Sequence, residues 1–125
     1  MWSILLCGSI KKFMNWIELK SVEQLEEITR ESQQQPVLIF KHSTTCNISR
    51  TALDRLQRNY KAEQVPQLKT YFLDLLSNRS ISNAVAQKFN VVHESPQAII
   101  IKNGQAKYSA SHFEIDYRSI LEQLN

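Results

Sequence analysis

The sequence predicts an α/β domain in which helices cover both faces of a mixed central sheet. Two continuous apolar runs, VLIF at 37–40 and AIII at 98–101, are typical of strands buried on both faces. Helical patterns alternate with the predicted strands, which favours βαβ units. Asn103-Gly104 favours a hairpin after the second run, because a type I′ turn needs positive φ at both central positions. The predicted element order is therefore β-α-β-α-β-α-β-β-α.

The first half of the chain holds two predicted strands and two predicted helices. Residues 16–19 form a short apolar strand, and Ser21 with Gln24 predicts an S-x-x-Q capping box at the start of the first helix. The predicted core face of this helix consists of Val22, Leu25, Ile28 and Thr29. A second helix follows VLIF and ends near residue 61, and its predicted core face consists of Ile48, Ala52, Leu56 and Tyr60.

The second half repeats this alternation and ends with the hairpin and a helix. A third strand is predicted from Tyr71, Phe72, Leu73 and Leu75. The next helix is predicted from the apolar stripe Ile81, Ala84, Val85 and Phe89. AIII turns into a last strand at 105–110, and the closing helix is predicted from Tyr117, Ile120, Leu121 and Leu124.

Length, charge and cysteine count indicate one soluble domain. The 125 residues are 42% hydrophobic and 22% charged, as in an ordinary globular protein. The net charge of +3 is scattered along the chain, which argues against a nucleic-acid interface. Two cysteines are too few for a disulfide framework and fit a reducing compartment. We therefore expect a cytoplasmic monomer without nucleic-acid or membrane partners.

Residues 1–13 are assigned to an N-terminal extension and residues 14–125 to the domain. The apolar run at 2–10 is too short to span a membrane, and it lacks the basic n-region and cleavage site of a signal peptide. Met14 is the favoured working start, because the chain from there leads directly into the first predicted strand. An ordered extra segment and a targeting segment are the alternatives. Nothing around Cys7 would stabilise a thiolate.

Cys46 is the candidate nucleophile. It stands between a buried strand and a helix that begins near residue 47, and Thr44 or Thr45 is the predicted N-cap. The free N–H groups and the dipole at a helix N-terminus favour a thiolate over a thiol. Lys41 and Arg50 are expected to add positive charge nearby. The alternative is that Cys46 only packs, as many buried cysteines do.

Ser49 is the second candidate catalytic residue. It occupies the position at which a C-x-x-C motif carries its second cysteine. A serine cannot resolve a mixed disulfide, but its hydroxyl can donate a hydrogen bond to the neighbouring sulfur. The residues that flank the cysteine, Thr45 and Asn47, are polar and are candidate substrate contacts. His42 is a further candidate, which could also tune the thiolate, and the alternative is a surface residue at the strand end.

Pro96 precedes the apolar strand AIII and is the second informative position. A proline at a strand entry is common and can be trans. In this topology a cis proline facing the cysteine would leave backbone groups free to pair with an extended substrate, so Ser95 and Pro96 are candidate substrate-binding residues. His93 lies near this loop and is a further candidate contact, whereas His112 receives no role. The histidines show no metal-ligand spacing, so no metal site is predicted.

The segments FKHSTTCNIS, HESPQAIIIKNG and ASHFEI together resemble the YtxJ-type monothiol bacilliredoxins, and the element order resembles the thioredoxin-like fold. The resemblance covers residues 14–125. It implies a thiol-disulfide oxidoreductase that removes bacillithiol, or a similar low-molecular-weight thiol, from protein mixed disulfides. Cys46 would be the nucleophile and Pro96 the cis-proline, while Asn47 stands where the family usually carries proline. The small thiol would be a co-substrate, thiolated client proteins the partners, and no cofactor would be tightly bound.

Two other functions have some support. The pattern C-x-x-S-R also resembles arsenate reductases and Spx-like regulators of the same fold, in which Arg50 would be an oxyanion ligand. The chain lacks the inserted helical region that those proteins usually carry. A non-catalytic thioredoxin-like binding module, with an inert Cys46, is the third hypothesis.

Overall fold

The computed structural model describes residues 14–124, which contain five strands and four α-helices. The strands are β1 (Ile17–Glu18), β2 (Val37–His42), β3 (Lys69–Asp74), β4 (Gln97–Lys102) and β5 (Gln105–Ser111). The helices are α1 (Glu23–Glu31), α2 (Asn47–Asn59), α3 (Arg79–Phe89) and α4 (Tyr117–Leu124). The predicted element order is confirmed. The extension at 1–13, with Cys7, lies outside the described residues.

The strands form one mixed sheet in the order β1-β3-β2-β4-β5. Strand β3 pairs in parallel with both β1 and β2, while β4 runs antiparallel to β2 and β5 antiparallel to β4. At the centre, Phe40 of β2 lies between Phe72 of β3 and Ala98 of β4. A central strand with neighbours on both sides and helices on both faces exposes no side chain, which explains the continuous apolar run.

Each face of the sheet carries its own hydrophobic core. Alternate residues of a strand point to opposite faces, so Val37 and Ile39 pack with the apolar residues of α1 and α3, including Leu25 and Val85. The other cluster contains Leu38 and Phe40 together with residues of α2 and α4 and the buried Met14. The end of β2 therefore presents one side chain to α3 and the next to α2.

The β4–β5 hairpin has the predicted turn. Asn103 and Gly104 have φ values of 53° and 75°, the positive values that a type I′ turn needs. The turn is fastened to the residue that follows α1: the Ser32 hydroxyl accepts the Gly104 N–H at 2.8 Å, and the Ser32 carbonyl accepts the Asn103 N–H at 2.7 Å. The hairpin is thus held against the end of a helix far away in the sequence.

The predicted cap of α1 was half right. Val22, not Ser21, is the N-cap, and Val22 is 51% exposed instead of lying on the core face. The Gln24 carboxamide does reach back, and its Oε1 accepts the N–H groups of Ser21 at 3.0 Å and Lys20 at 2.6 Å. The helix therefore begins at Glu23, one residue later than an N-cap at Ser21 predicts.

The start and the buried face of α2 also differ from the prediction. The Ser43 carbonyl accepts the Cys46 N–H at 3.1 Å and closes a turn through Thr44 and Thr45, so neither threonine is the N-cap. Cys46 itself is the N-cap. Ile48 in the first turn is consequently 38% exposed. The buried face of the helix consists of Ser49, Ala52, Leu53, Leu56 and Gln57.

Candidate active site

Cys46 stands at the end of the sheet where β2 gives way to α2. As the N-cap it has extended φ and ψ values of −105° and 120°, and its carbonyl accepts the Arg50 N–H at 3.1 Å. The side chain is partly exposed and carries a free thiol. This side chain makes no capping hydrogen bond to the N–H groups of the first helical turn.

The Ser49 hydroxyl is fully buried and faces the end of β2. It lies 2.7 Å from His42 Nδ1 and accepts the Ser43 N–H at 3.0 Å. Within residues 14–124 these are its hydrogen-bond partners, so the expected bond from Ser49 to the Cys46 sulfur is not formed. The reason is geometric: Cys46 lies in the exposed turn at residues 43–47, the outer turn, whereas Ser49 is one helical turn further on and is buried.

His42 connects this helix to the aromatic core. Its ring is 4% exposed and lies 6.1 Å from the ring of Phe40 and 5.4 Å from that of Phe72, measured between centroids. Burial lowers the pKa of His42, Asp74 opposes that shift and Arg50 adds to it. The ring is therefore neutral at pH 7. In the tautomer that carries its proton on Nε2, it accepts the Ser49 O–H at Nδ1.

The outer turn around Cys46 is built from exposed polar groups. Arg50 donates to the Asn47 carboxamide and, at 3.3 Å, to the Thr44 carbonyl. The hydroxyls of Thr45 and Ser43 lie 3.3 Å apart. Asn47 is the first residue of α2, a position that accepts proline readily. The candidate contacts Thr45 and Asn47 thus lie at the surface beside the thiol, while His42 lies below it.

The segment 90–96, the proline loop, lies at the same end of the sheet. Its Ser95–Pro96 peptide bond is cis, as expected. Gln97, the next residue, pairs with Lys41 on the antiparallel neighbour β2, which leads into the turn that ends at Cys46. The buried Pro96 donates no N–H, and its carbonyl accepts the His112 N–H at 3.1 Å. Half-buried Ser95 and buried Pro96 therefore lie at the end of the sheet that carries the cysteine.

Lys41 does not add its charge to the cysteine. Its side chain points to the opposite face of the sheet, where the ammonium lies 3.2 Å from His93 Nδ1 and 3.4 Å from the Ser82 carbonyl. The prediction that Lys41 adds positive charge beside Cys46 is therefore wrong, because strand alternation turns this side chain towards α3. His93 is exposed and belongs to the loop before Pro96.

Exposed apolar side chains at this end of the molecule were missed from the sequence. Phe113, 70% exposed, follows His112, whose N–H binds the proline loop, and Val92, 80% exposed, belongs to that loop. Ile48 follows Cys46 by two residues. Ile48 lies on the outer side of the first turn of α2, Phe113 in a short 3-10 helix after β5 and Val92 in a loop, and a helical or strand periodicity does not reveal their exposure.

Neither a metal cluster nor a membrane span is found in the part of the chain described. Residues 14–124 contain no group of three or more His, Cys, Asp or Glu side chains arranged to hold a metal ion. No helix within the same range is both long enough and apolar enough to cross a bilayer.

A model of the family described as monothiol bacilliredoxin BrxC matches residues 17–120. The matched range includes both the outer turn with Cys46 and the proline loop. The chain belongs to the monothiol bacilliredoxin BrxC family. The resemblance found in the sequence is confirmed, and it extends over most of the described structure.

Solved structures similar to this bacilliredoxin-family chain have the thioredoxin fold. A protein assigned as an oxidoreductase with a thioredoxin fold is 32% identical, with a TM-score of 0.74 over 88% of this chain and 95% of that one. Thioredoxin O2 from Arabidopsis thaliana is 20% identical, with a TM-score of 0.67 over 87% and 93%. Malassezia sympodialis thioredoxin is 16% identical, with a TM-score of 0.67 over 86% and 88%. The family and the fold together assign a thiol redox role and an oxidoreductase class.

Proposed function

We propose that this protein is a monothiol thiol-disulfide oxidoreductase that removes bacillithiol, or a similar low-molecular-weight thiol, from protein mixed disulfides through Cys46. One observation carries the proposal: a partly exposed free cysteine is the N-cap of α2, and a buried serine stands where a dithiol enzyme has its resolving cysteine. The small thiol is a co-substrate, not a tightly bound cofactor. The partners are thiolated proteins of a reducing cytoplasm.

The reaction is two exchanges between sulfur atoms. The Cys46 thiolate attacks the sulfur of the small thiol, the S–S bond to the client breaks, and the client leaves as a thiolate that takes a proton from water. The electron pair of the broken bond leaves with the client sulfur, and a new S–S bond joins Cys46 to the small thiol. A second thiol then attacks this adduct, releases a small-molecule disulfide and restores Cys46.

Ser49 gives the adduct its lifetime. Because a hydroxyl cannot attack the mixed disulfide, the adduct waits for an external thiol. Ser49→Cys should let the adduct resolve internally, with a disulfide between positions 46 and 49 and release of the small thiol as products. Mass spectrometry after adduct formation would detect this change.

The proposal is tested with the full chain and a client protein carrying a single bacillithiol or glutathione mixed disulfide. De-thiolation and the mass of the protein are followed together. We expect transfer of the small thiol onto Cys46, abolished in Cys46→Ala and retained in the matched control Cys7→Ala. Unequal rates for the two clients identify the preferred thiol. Full activity in Cys46→Ala would show that the proposal is wrong, and absence of any adduct on the wild-type cysteine would favour a binding module instead.

A further inference from the structure

Lys41 is a buried charged group for which the sulfur exchange has no direct use. The whole residue is buried, and its ammonium contacts an imidazole nitrogen of His93 and the carbonyl of Ser82. Neither partner carries the negative charge that would compensate a buried cation. Burial accordingly lowers the pKa of Lys41 to about 8. Because burial of the Lys41 ammonium costs desolvation free energy, we expect its hydrogen bonds to have a role.

The contact with His93 joins Lys41 to the proline loop, residues 90–96. Gln97 holds the same loop from the neighbouring strand, since its Nε2 donates to the Val92 carbonyl at 3.0 Å and its Oε1 accepts the Glu94 N–H at 3.4 Å. Gln97 is 2% exposed and pairs with Lys41 across β2 and β4. Two adjacent buried side chains therefore fasten the inner side of the loop that carries Pro96.

We propose that Lys41 and Gln97 are positioning residues that fix the proline loop opposite Cys46, so that an extended client segment can dock between the two. This inference rests on the proposed function. Lys41 belongs to the strand that leads to the cysteine turn, and its ammonium reaches the loop through His93. One side chain thereby joins the two halves of the docking site from beneath.

The chemistry of the contact requires a neutral His93. An imidazole accepts a hydrogen bond at Nδ1 only while that nitrogen is unprotonated. Burial, Lys41 and Arg79 lower the pKa of His93, and Glu94 opposes the shift. The Ser82 hydroxyl lies 3.3 Å from the same nitrogen. The ring is thus kept in the form that accepts the Lys41 ammonium at neutral pH.

Replacement of Lys41 should change stability and transfer activity in opposite directions. Methionine is unbranched and of similar length, so Lys41→Met should fill the space without a desolvation penalty, and the fold should be at least as stable at pH 7. The variant would nevertheless lose the donor to His93 and free the loop. A residue with a purely structural role would not show higher stability together with slower transfer.

The experiment compares the wild type, Lys41→Met, and the control Lys88→Met, which removes an exposed lysine of α3 that pairs with the exposed Glu26. Hydrogen exchange across the proline loop, the kcat/KM for the thiolated client and the alkylation rate of Cys46 by iodoacetamide are measured for each. In Lys41→Met we expect faster exchange at Glu94 and kcat/KM about tenfold lower, mainly through KM, with unchanged alkylation. Lys88→Met should match the wild type in all three.

A second pair of variants keeps the test valid if Lys41→Met does not fold. His93→Ala should reproduce the loss in kcat/KM, and His93→Gln should recover part of it, because the amide oxygen can accept the Lys41 ammonium. Unchanged loop exchange in Lys41→Met and His93→Ala would overturn the inference whether or not the wild type is active. Equal losses in alkylation and transfer would overturn it as well, since Lys41 would then act on the thiol itself. A wild type that transfers nothing would refute the proposed function, while loop exchange still decides the positioning role.

Discussion

Lys41 and His42 are neighbours at the end of β2, and both are buried, yet they serve opposite faces of the sheet. Lys41 reaches under α3 to the proline loop, whereas His42 packs on Phe40 and Phe72 and binds Ser49 under α2. Strand alternation sends one side chain to each loop of the candidate site. Two consecutive residues of a central strand thus bind different segments, Lys41 the loop before Pro96 and His42 the helix after Cys46.

The two side chains also differ in how they tolerate burial. Burial lowers the pKa of both side chains. His42 is therefore neutral at pH 7, whereas Lys41, with a pKa of about 8, is still largely protonated there. His42 therefore stabilises the fold as an aromatic ring with one hydrogen bond. Lys41 has hydrogen bonds, but no carboxylate within residues 14–124 forms a salt bridge with it.

The largest effect is expected for His42→Ala. Loss of the ring removes packing against Phe40 and Phe72 and leaves Ser49 without one partner, so the free energy of unfolding should fall by about 3 kcal/mol. Urea denaturation at pH 7 measures this, with Lys41→Met as the comparison on the other face and exposed Thr45→Ala as the surface control. A loss below about 1 kcal/mol would mean that the two faces do not differ as described.

Ser49→Ala should be next. The change leaves the buried Ser43 N–H and His42 Nδ1 without their partner, and the free energy of unfolding should fall by about 2 kcal/mol. Transfer should become slower but persist, because the nucleophile remains. The control is Ser109→Ala, an exposed serine of β5. Transfer that stops completely in a folded Ser49→Ala would assign the hydroxyl a direct part in the chemistry.

The pH dependence of stability isolates Lys41. Its folded-state pKa of about 8 lies below the ordinary value of 10.5, so the unfolded chain binds more protons between these values and stability rises with pH. From about pH 8 to about pH 9.5 the gain should be about 1.5 kcal/mol relative to Lys41→Met. Higher pH is avoided, because burial and Glu31 raise the pKa of Tyr71, whose contribution is lost as pH rises above its ordinary range. Parallel curves for the two proteins would contradict an uncompensated Lys41.

The smallest effect is expected for Asn47→Pro, which changes the outer turn and neither buried face. Proline fits the first position of a helix, and only the surface contact of Asn47 with Arg50 is lost. The melting temperature should therefore shift by no more than a few degrees, equivalent to less than about 1 kcal/mol. A larger loss would show that the outer turn depends on the Asn47 side chain, and Cys46 alkylation would show whether the thiol is affected.

The fold was largely predictable because its main features leave local patterns. Continuous apolar runs mark the central strands β2 and β4, and Asn103-Gly104 marks the hairpin. The phase of α2 was not predictable, because apolar Ile48 lies outside while polar Ser49 and Gln57 lie inside. Only the tertiary partners of those two, His42 for Ser49 and Trp16 for Gln57, make their burial favourable.

The candidate site was predictable in its residues but not in its connections. A cysteine between a strand and a helix, and a proline before a strand, can be recognised locally. Which face Lys41 takes depends on the register of β2, and its contact with His93 spans 52 positions of sequence. No spacing rule reaches that far. Long-range side-chain hydrogen bonds such as this one can be identified only in the structure, and they distinguish the two faces of the sheet.

The two outer strands of the sheet have a consequence for behaviour at high concentration. Strand β1 has only two residues, which offers little backbone for another chain to pair with. Strand β5 is longer, but its exposed side chains are the polar Gln105, Lys107 and Ser109. A charged lysine in the middle of an edge strand disfavours strand addition, since pairing would desolvate it or place like charges together. Both edge strands thus disfavour edge-to-edge association into fibrils, although the strands between them are among the most apolar segments of the chain.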